Sequence, residues 1–133
     1  MTGESLTIES QSNVETARRT VRRLADEVGL SERETEEAVI VVSELATNLL
    51  RHAASGVITV SAIREERRNG LFVESHDRGP GIPDVDLAMR DGYSSAGGIG
   101  GGLGAVQRLS DTCSISSGPN GTRITVRKWH KNN

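Results

Sequence analysis

Apolar residues recur along this chain with two different periods, and the switches between them mark out the elements. Leu6-Thr7-Ile8 alternates and predicts a short edge strand. Val14, Ala17, Val21, Leu24, Ala25 and Val28 then fall three or four apart, which predicts an amphipathic helix capped by Ser12 or Asn13 and stopped by Gly29. Ser31-Glu32-Arg33-Glu34 has the spacing of a capping box. The helix it opens runs to about Ala53, with Ala38, Val41, Val42, Leu45 and Leu49 on one side. Glu44 and Asn48 stand four apart and therefore share a different face of that helix.

After Gly56 the period changes. The β-branched run 57–63 predicts a strand, a charged turn spans Arg64 to Gly70, and 71–76 returns as the second strand of a hairpin. Two glycines and two prolines make 77–83 a loop, and a short helix is expected from Asp84. A glycine-rich stretch follows, then a helix carrying Leu103, Val106 and Leu109. A last hairpin, 113–117 with 122–127, turns at Pro119-Asn120-Gly121. Helices grouped between antiparallel hairpins predict an α+β fold. The expected form is a two-layer α/β sandwich whose mixed, mostly antiparallel sheet has helices on one face.

Length holds this to a single domain over residues 1–133. No apolar run is long enough to span a bilayer and Met1 opens no leader pattern, so a soluble, cytoplasmic protein with no membrane partner is expected. Cys113 is the single cysteine and cannot form an internal disulfide. Formal net charge is −2, and Phe72, Tyr93 and Trp129 are the only aromatics, which argues against a nucleic-acid partner. Glycine changes the picture more: seven of the 15 crowd between Gly92 and Gly104. Local crowding marks a functional loop and not a disordered chain.

Glycine-rich loops bind phosphate because backbone N–H groups converge on an anion when no Cβ obstructs them. Here residues 97–104 run into a helical pattern, whose N-terminus would add its positive end. The only lysines, Lys128 and Lys131, lie at the far end, so there is no Gly-Lys-Ser/Thr phosphate loop. Nor is there the strand lysine and His-Arg-Asp loop of the common eukaryotic kinases. Phosphate charge would then be met by backbone N–H groups, a metal and arginine. Asn48 offers a carbonyl oxygen to Mg²⁺, and Glu44, one turn earlier, could take a proton from an attacking hydroxyl. Asp77 could accept a hydrogen bond from an amino group such as that of adenine, or serve only as a turn residue. His52, His76 and His130 read as surface or hydrogen-bonded histidines.

Together, Glu44-x-x-x-Asn48, Asp77-x-Gly79-x-Gly81, Gly98-x-Gly100-x-Gly102-Leu103 and Gly121-Thr122 resemble, in order and spacing, the motifs of the GHKL ATPases. That family holds histidine kinases, gyrase and mismatch-repair ATPases and anti-sigma-factor serine kinases. Ser43-Glu44-Leu45-Ala46, residues 77–84 and 91–98, Arg108-Leu109 and the ending Lys128-Trp129 look most like the short stressosome switch kinases of the RsbT type. The resemblance implies an Mg-ATP-dependent serine/threonine kinase acting on a STAS-domain partner and, once released, activating a PP2C-type phosphatase. Carried over by position, Glu44 would be the base, Asn48 the Mg²⁺ ligand and Asp77 the adenine acceptor. Gly79, Gly81, Ile82, Gly98, Gly100, Gly101, Gly102 and Leu103 would shape the ATP site, with Thr122 supporting its adenine end. The chain departs from the pattern at Leu50-Arg51-His52, and Gly101 adds freedom to the glycine loop.

The rival reading is a binding module, either an anti-sigma factor or a nucleotide-gated adaptor with little turnover. Glu44 and Asn48 together favour the enzyme, since a pure binder could lose the base. A dimer-closing ATPase and a histidine-kinase fragment rank lower, because neither a transducer nor a phosphoacceptor helix is expected within these residues.

Overall fold

The computed structural model describes residues 3–53, 55–79 and 102–131. Among them the order is β1 (Gly3–Ile8), α1 (Gln11–Glu27), α2 (Glu32–His52), β2 (Gly56–Glu65), β3 (Arg68–Asp77), α3 (Gly102–Leu109), β4 (Thr112–Gly118) and β5 (Gly121–Trp129). The strands form one sheet in the order β1-β2-β3-β5-β4. Every described pairing is antiparallel, in keeping with the mostly antiparallel sheet that was expected. β1 lies at the edge, as its short alternating pattern predicts. The helix expected from Asp84 falls outside the described residues.

Alternation along the strands sets the two layers. Ile8, Ile58, Val60, Leu71, Val73, Ile124 and Val126 are buried on one face, where they meet Val14, Ala17, Val21 and Leu24 of α1 and Val41, Val42, Leu45 and Leu49 of α2. The opposite face carries polar and charged side chains. Ser5 and Thr59 share a hydrogen bond of 3.1 Å, Arg123 pairs with Glu74 at 3.2 Å, and Arg127 lies over the Phe72 ring. An antiparallel sheet tolerates this asymmetry because one face can remain in water.

Capping explains where the helices start and stop. The α1 cap is Ser10, two residues before Ser12 and three before Asn13. Asn13 instead sits inside the first turn, and its side-chain oxygen accepts from the Glu9 and Ser10 backbone N–H groups at 2.9 and 3.1 Å. At the other end Gly29 has φ +77°, and the Gly29 and Leu30 N–H groups donate back to Asp26 and Ala25. That is a Schellman closure, and it requires the left-handed residue that glycine supplies. The α2 capping box forms as its spacing predicts. Glu34 N–H donates to Ser31 Oγ at 3.1 Å, and Ser31 N–H donates to Glu34 Oε1 at 2.8 Å.

The first hairpin turns more tightly than its composition suggests. Strand pairing runs to Glu65↔Arg68, leaving only Glu66 and Arg67 in the turn, with φ of +51° and +70°. Positive φ at both positions is the twist that a two-residue hairpin turn favours, usually with Asn-Gly. β5 likewise continues past residue 127 to Trp129, whose indole lies beneath the Arg68 guanidinium at 4.1 Å.

The C-terminal residues close over the start of α2. Glu34 accepts from Lys131 N–H at 2.8 Å and meets His130 Nδ1 at 2.7 Å, so His130 is a hydrogen-bonded histidine, while His52 and His76 are exposed. Burial alone would push the Glu34 carboxyl up. The hydrogen bonds from His130, Ser31 and Lys131 outweigh it and hold Glu34 at about 2.

Candidate functional site

Glu44 and Asn48 sit one turn apart on α2, both half-buried, as four-residue spacing requires. Burial raises the Glu44 pKa by penalising its charged form, and the Arg51 guanidinium opposes that shift. A carboxyl so placed holds a proton more tightly than a surface glutamate, which suits a general base. Among the described residues no group of three or more His, Cys, Asp and Glu could hold a metal ion. Mg²⁺ commonly draws most of its ligands from phosphate and water, so a single side-chain oxygen such as that of Asn48 is a sufficient protein ligand for it.

Asp77 ends β3 on the helix-covered face, and one of its carboxylate oxygens accepts from Gly79 N–H at 2.8 Å. The turn role and a binding role are compatible, because a carboxylate has further lone pairs to offer. Thr122 faces Asp77 directly in the β3–β5 register. It is 5% exposed, and its hydroxyl lies 2.8 Å from that of Ser117 on β4. Three adjacent strands thus bring Asp77, Thr122 and Ser117 to one end of the sheet, beneath the helices.

Three close approaches hold this end together. A Cβ on Gly79 would stand 3.1 Å from that of Ala53, the residue that caps α2, so the loop after Asp77 rests against the helix that carries Glu44 and Asn48. A Cβ on Gly56 would come within 2.6 Å of the Leu49 side chain and 2.8 Å of the His76 carbonyl. A Cβ on Gly121 would fall 2.1 Å from the Asp77 carbonyl oxygen. In the sequence Gly56 reads as a helix stop, and Gly121 as a turn residue that belongs to the Gly121-Thr122 motif.

α3 begins at Gly102, with φ +59°, and packs against α2. Leu103 is 5% exposed and belongs to the hydrophobic core, so its contact is with the fold's interior. The structure thus groups Asp77, Gly79 and Thr122 at the sheet end, and Glu44 with Asn48 on the adjoining helix. Gly81, Ile82, Gly98, Gly100 and Gly101 lie outside the described residues.

Comparison with known proteins bears on the family and the fold. The chain is 36% identical over 123 residues to the serine/threonine-protein kinase RsbT of Bacillus subtilis, covering 92% of each protein. Its fold is similar to the RsbU and RsbW domains of Rv1364c from Mycobacterium tuberculosis, with TM-score 0.68 and 17% identity, across 99% of this chain and 34% of that one. It is also similar in fold to a chain of the SiaB-SiaC complex from Pseudomonas aeruginosa, with TM-score 0.58 and 14% identity, covering 97% of this chain and 89% of the other. No helix among the described residues is long and apolar enough to cross a membrane. Residues 9–128 match the histidine kinase-like ATPase domain, and the chain belongs to that family.

Proposed function

We propose that this protein is a cytoplasmic kinase that transfers the γ-phosphoryl group of Mg-ATP to a serine or threonine hydroxyl of a STAS-domain partner, and that its release activates a PP2C-type phosphatase. The observation that carries the kinase reading is the match to RsbT across nearly the whole chain, with Glu44 and Asn48 on one stripe of α2. The STAS acceptor and the phosphatase rest on the sequence resemblance.

In this reading Asp77 accepts from the adenine amino group, with Thr122 beside it. Asn48 and the backbone of residues 98–102, with Gly79, Gly81, Ile82 and Leu103 shaping the site, position the triphosphate. Mg²⁺ held by Asn48 and the phosphates would neutralise charge at the β- and γ-oxygens. Glu44 takes the proton from the acceptor hydroxyl as its oxygen bonds to the γ-phosphorus, and the bond to the β–γ bridging oxygen breaks to release ADP. Positioning and proton removal are the protein's main contributions to phosphoryl transfer.

Glu44→Gln tests this. It preserves side-chain shape, and since burial disfavours ionised Glu44, a neutral amide costs the fold little at neutral pH. The variant is expected to bind Mg-ATP and the partner normally while transferring phosphate about 10²–10⁴ times more slowly. Wild-type transfer rates in this variant would remove Glu44 as the base. A wild-type protein that binds ATP and its partner but transfers no phosphate would mark a binding module.

A further inference from the structure

Lys128 is one of two lysines in the chain, and only 7% of it is exposed. In the β5 register it falls with Ile124 and Val126 on the face the helices cover. Its Nζ donates to Glu37 Oε1 of α2 at 2.7 Å and to the carbonyl of Leu109, the last residue of α3, also at 2.7 Å. A buried ammonium is costly unless paired, and an apolar side chain in its place is often neutral or stabilising. What the ammonium adds here is a fixed geometry: it ties the carbonyl end of one helix to a chosen turn of another.

That turn is significant. Glu37 precedes Glu44 by seven residues and Asn48 by eleven, so all three share one stripe of α2. At about 1.5 Å per residue, Glu44 and Asn48 lie about 10 and 16 Å along the helix from Glu37. α3 has eight residues and so covers about 12 Å. α3 packs against α2, so a tether that holds its Leu109 end to the Glu37 turn bears on where its other end, Gly102 and Leu103, stands against that helix. Other contacts near the same end of α3 include Ser110 Oγ donating to Val106, Asp111 N–H donating to Arg127, and the Asp111 carboxylate accepting from Trp129 N–H and Lys131 Nζ.

We propose that Lys128 is a positioning residue. Pinned to Glu37, it fixes where the start of α3 stands along the Glu44–Asn48 stripe, and thereby sets affinity for the phosphate end of the nucleotide. The inference rests on the nucleotide reading above and deepens it. Asp77 and Thr122, held by the β3–β5 pairing, lie outside the tether's control, so the adenine end serves as an internal reference.

The experiment compares Lys128→Met and Glu37→Gln with wild type by titrating each protein with Mg-ATP and, separately, with adenosine. Both variants are expected to lose about tenfold to hundredfold in ATP affinity, the effect that a displacement of about 1 Å can have, while keeping wild-type adenosine affinity. Equal losses for both ligands would mark a general loosening of the fold and overturn the proposal. So would unchanged ATP affinity in folded variants. Should Lys128→Met fail to fold, the milder Glu37→Gln decides alone. Failure of wild type to bind ATP overturns the nucleotide reading itself, an outcome distinct from wild-type binding that both variants retain.

Discussion

Gly121→Ala probes how closely the adenine end of the site is built. The added Cβ would stand 2.1 Å from the Asp77 carbonyl oxygen and 3.0 Å from Arg78 Cα, at a backbone φ of +140°. An ordinary carbon–oxygen contact is above 3 Å, so β3 and β5 must part by about 1 Å at this point, and a shift of that size can cost about a hundredfold in function. Backbone strain adds about 1–3 kcal/mol at a φ that only glycine adopts freely. That corresponds to a fall of several degrees in melting temperature for a domain of this size. Gly118→Ala supplies the control, since nothing lies within 4 Å of a Cβ there and its φ is ordinary. The assay is calorimetric ATP titration beside thermal denaturation for both variants. Gly121→Ala should bind ATP at least tenfold more weakly and melt earlier, with Gly118→Ala close to wild type. Equal behaviour of the two variants would refute the reasoning, because only Gly121 has a neighbour to displace.

Where local chemistry decided structure, it was legible. The 3.6-residue spacing of α1, the Ser31–Glu34 capping box and the β-branched strands need no knowledge of distant residues. Glu44 and Asn48 could be placed on one face of α2 because their four-residue spacing is a sequence property, while Asp77 and Thr122 stood out through the resemblance to the family's motifs. The α1 cap was less legible: Ser10, Ser12 and Asn13 can all cap, and the choice depends on hydrogen bonds that Asn13 makes backward to Glu9 and Ser10. The Glu66-Arg67 turn was hidden because neither residue is a usual positive-φ former. Strand pairing on both sides imposes that conformation.

Contacts between segments far apart in sequence were the least legible part. Gly56 and Gly121 read as punctuation, yet each is required because a backbone or side chain from another element comes within 3 Å of where a Cβ would be. Leu103, expected to shape the site, is a core residue beside Gly102, a packing role that its place after a glycine run does not reveal. Lys128 and His130 carry no local signal of what they pair with. Their partners, Glu37 and Glu34, lie 91 and 96 residues away, and only the folded sheet brings them together.

Two further measurements address the site's charged groups. Asp77→Asn keeps an oxygen for the Gly79 N–H but loses the charge, so adenine-nucleotide affinity should fall by about 1.5–3 kcal/mol with little change in melting temperature. Unchanged affinity in the folded variant would take Asp77 out of the site. The last prediction concerns pH. Burial raises the Glu44 pKa and Arg51 opposes the rise, and a base works only when deprotonated. Phosphoryl transfer should therefore be lost on acidification at a higher pH than an ordinary glutamate would give, as pH falls through the raised value. Arg51→Ala removes the opposing influence and should move that acid limb higher still. An acid limb that stayed in place, or moved down, would show that Arg51 does not act on Glu44, or that Glu44 is not the group whose ionisation limits the rate.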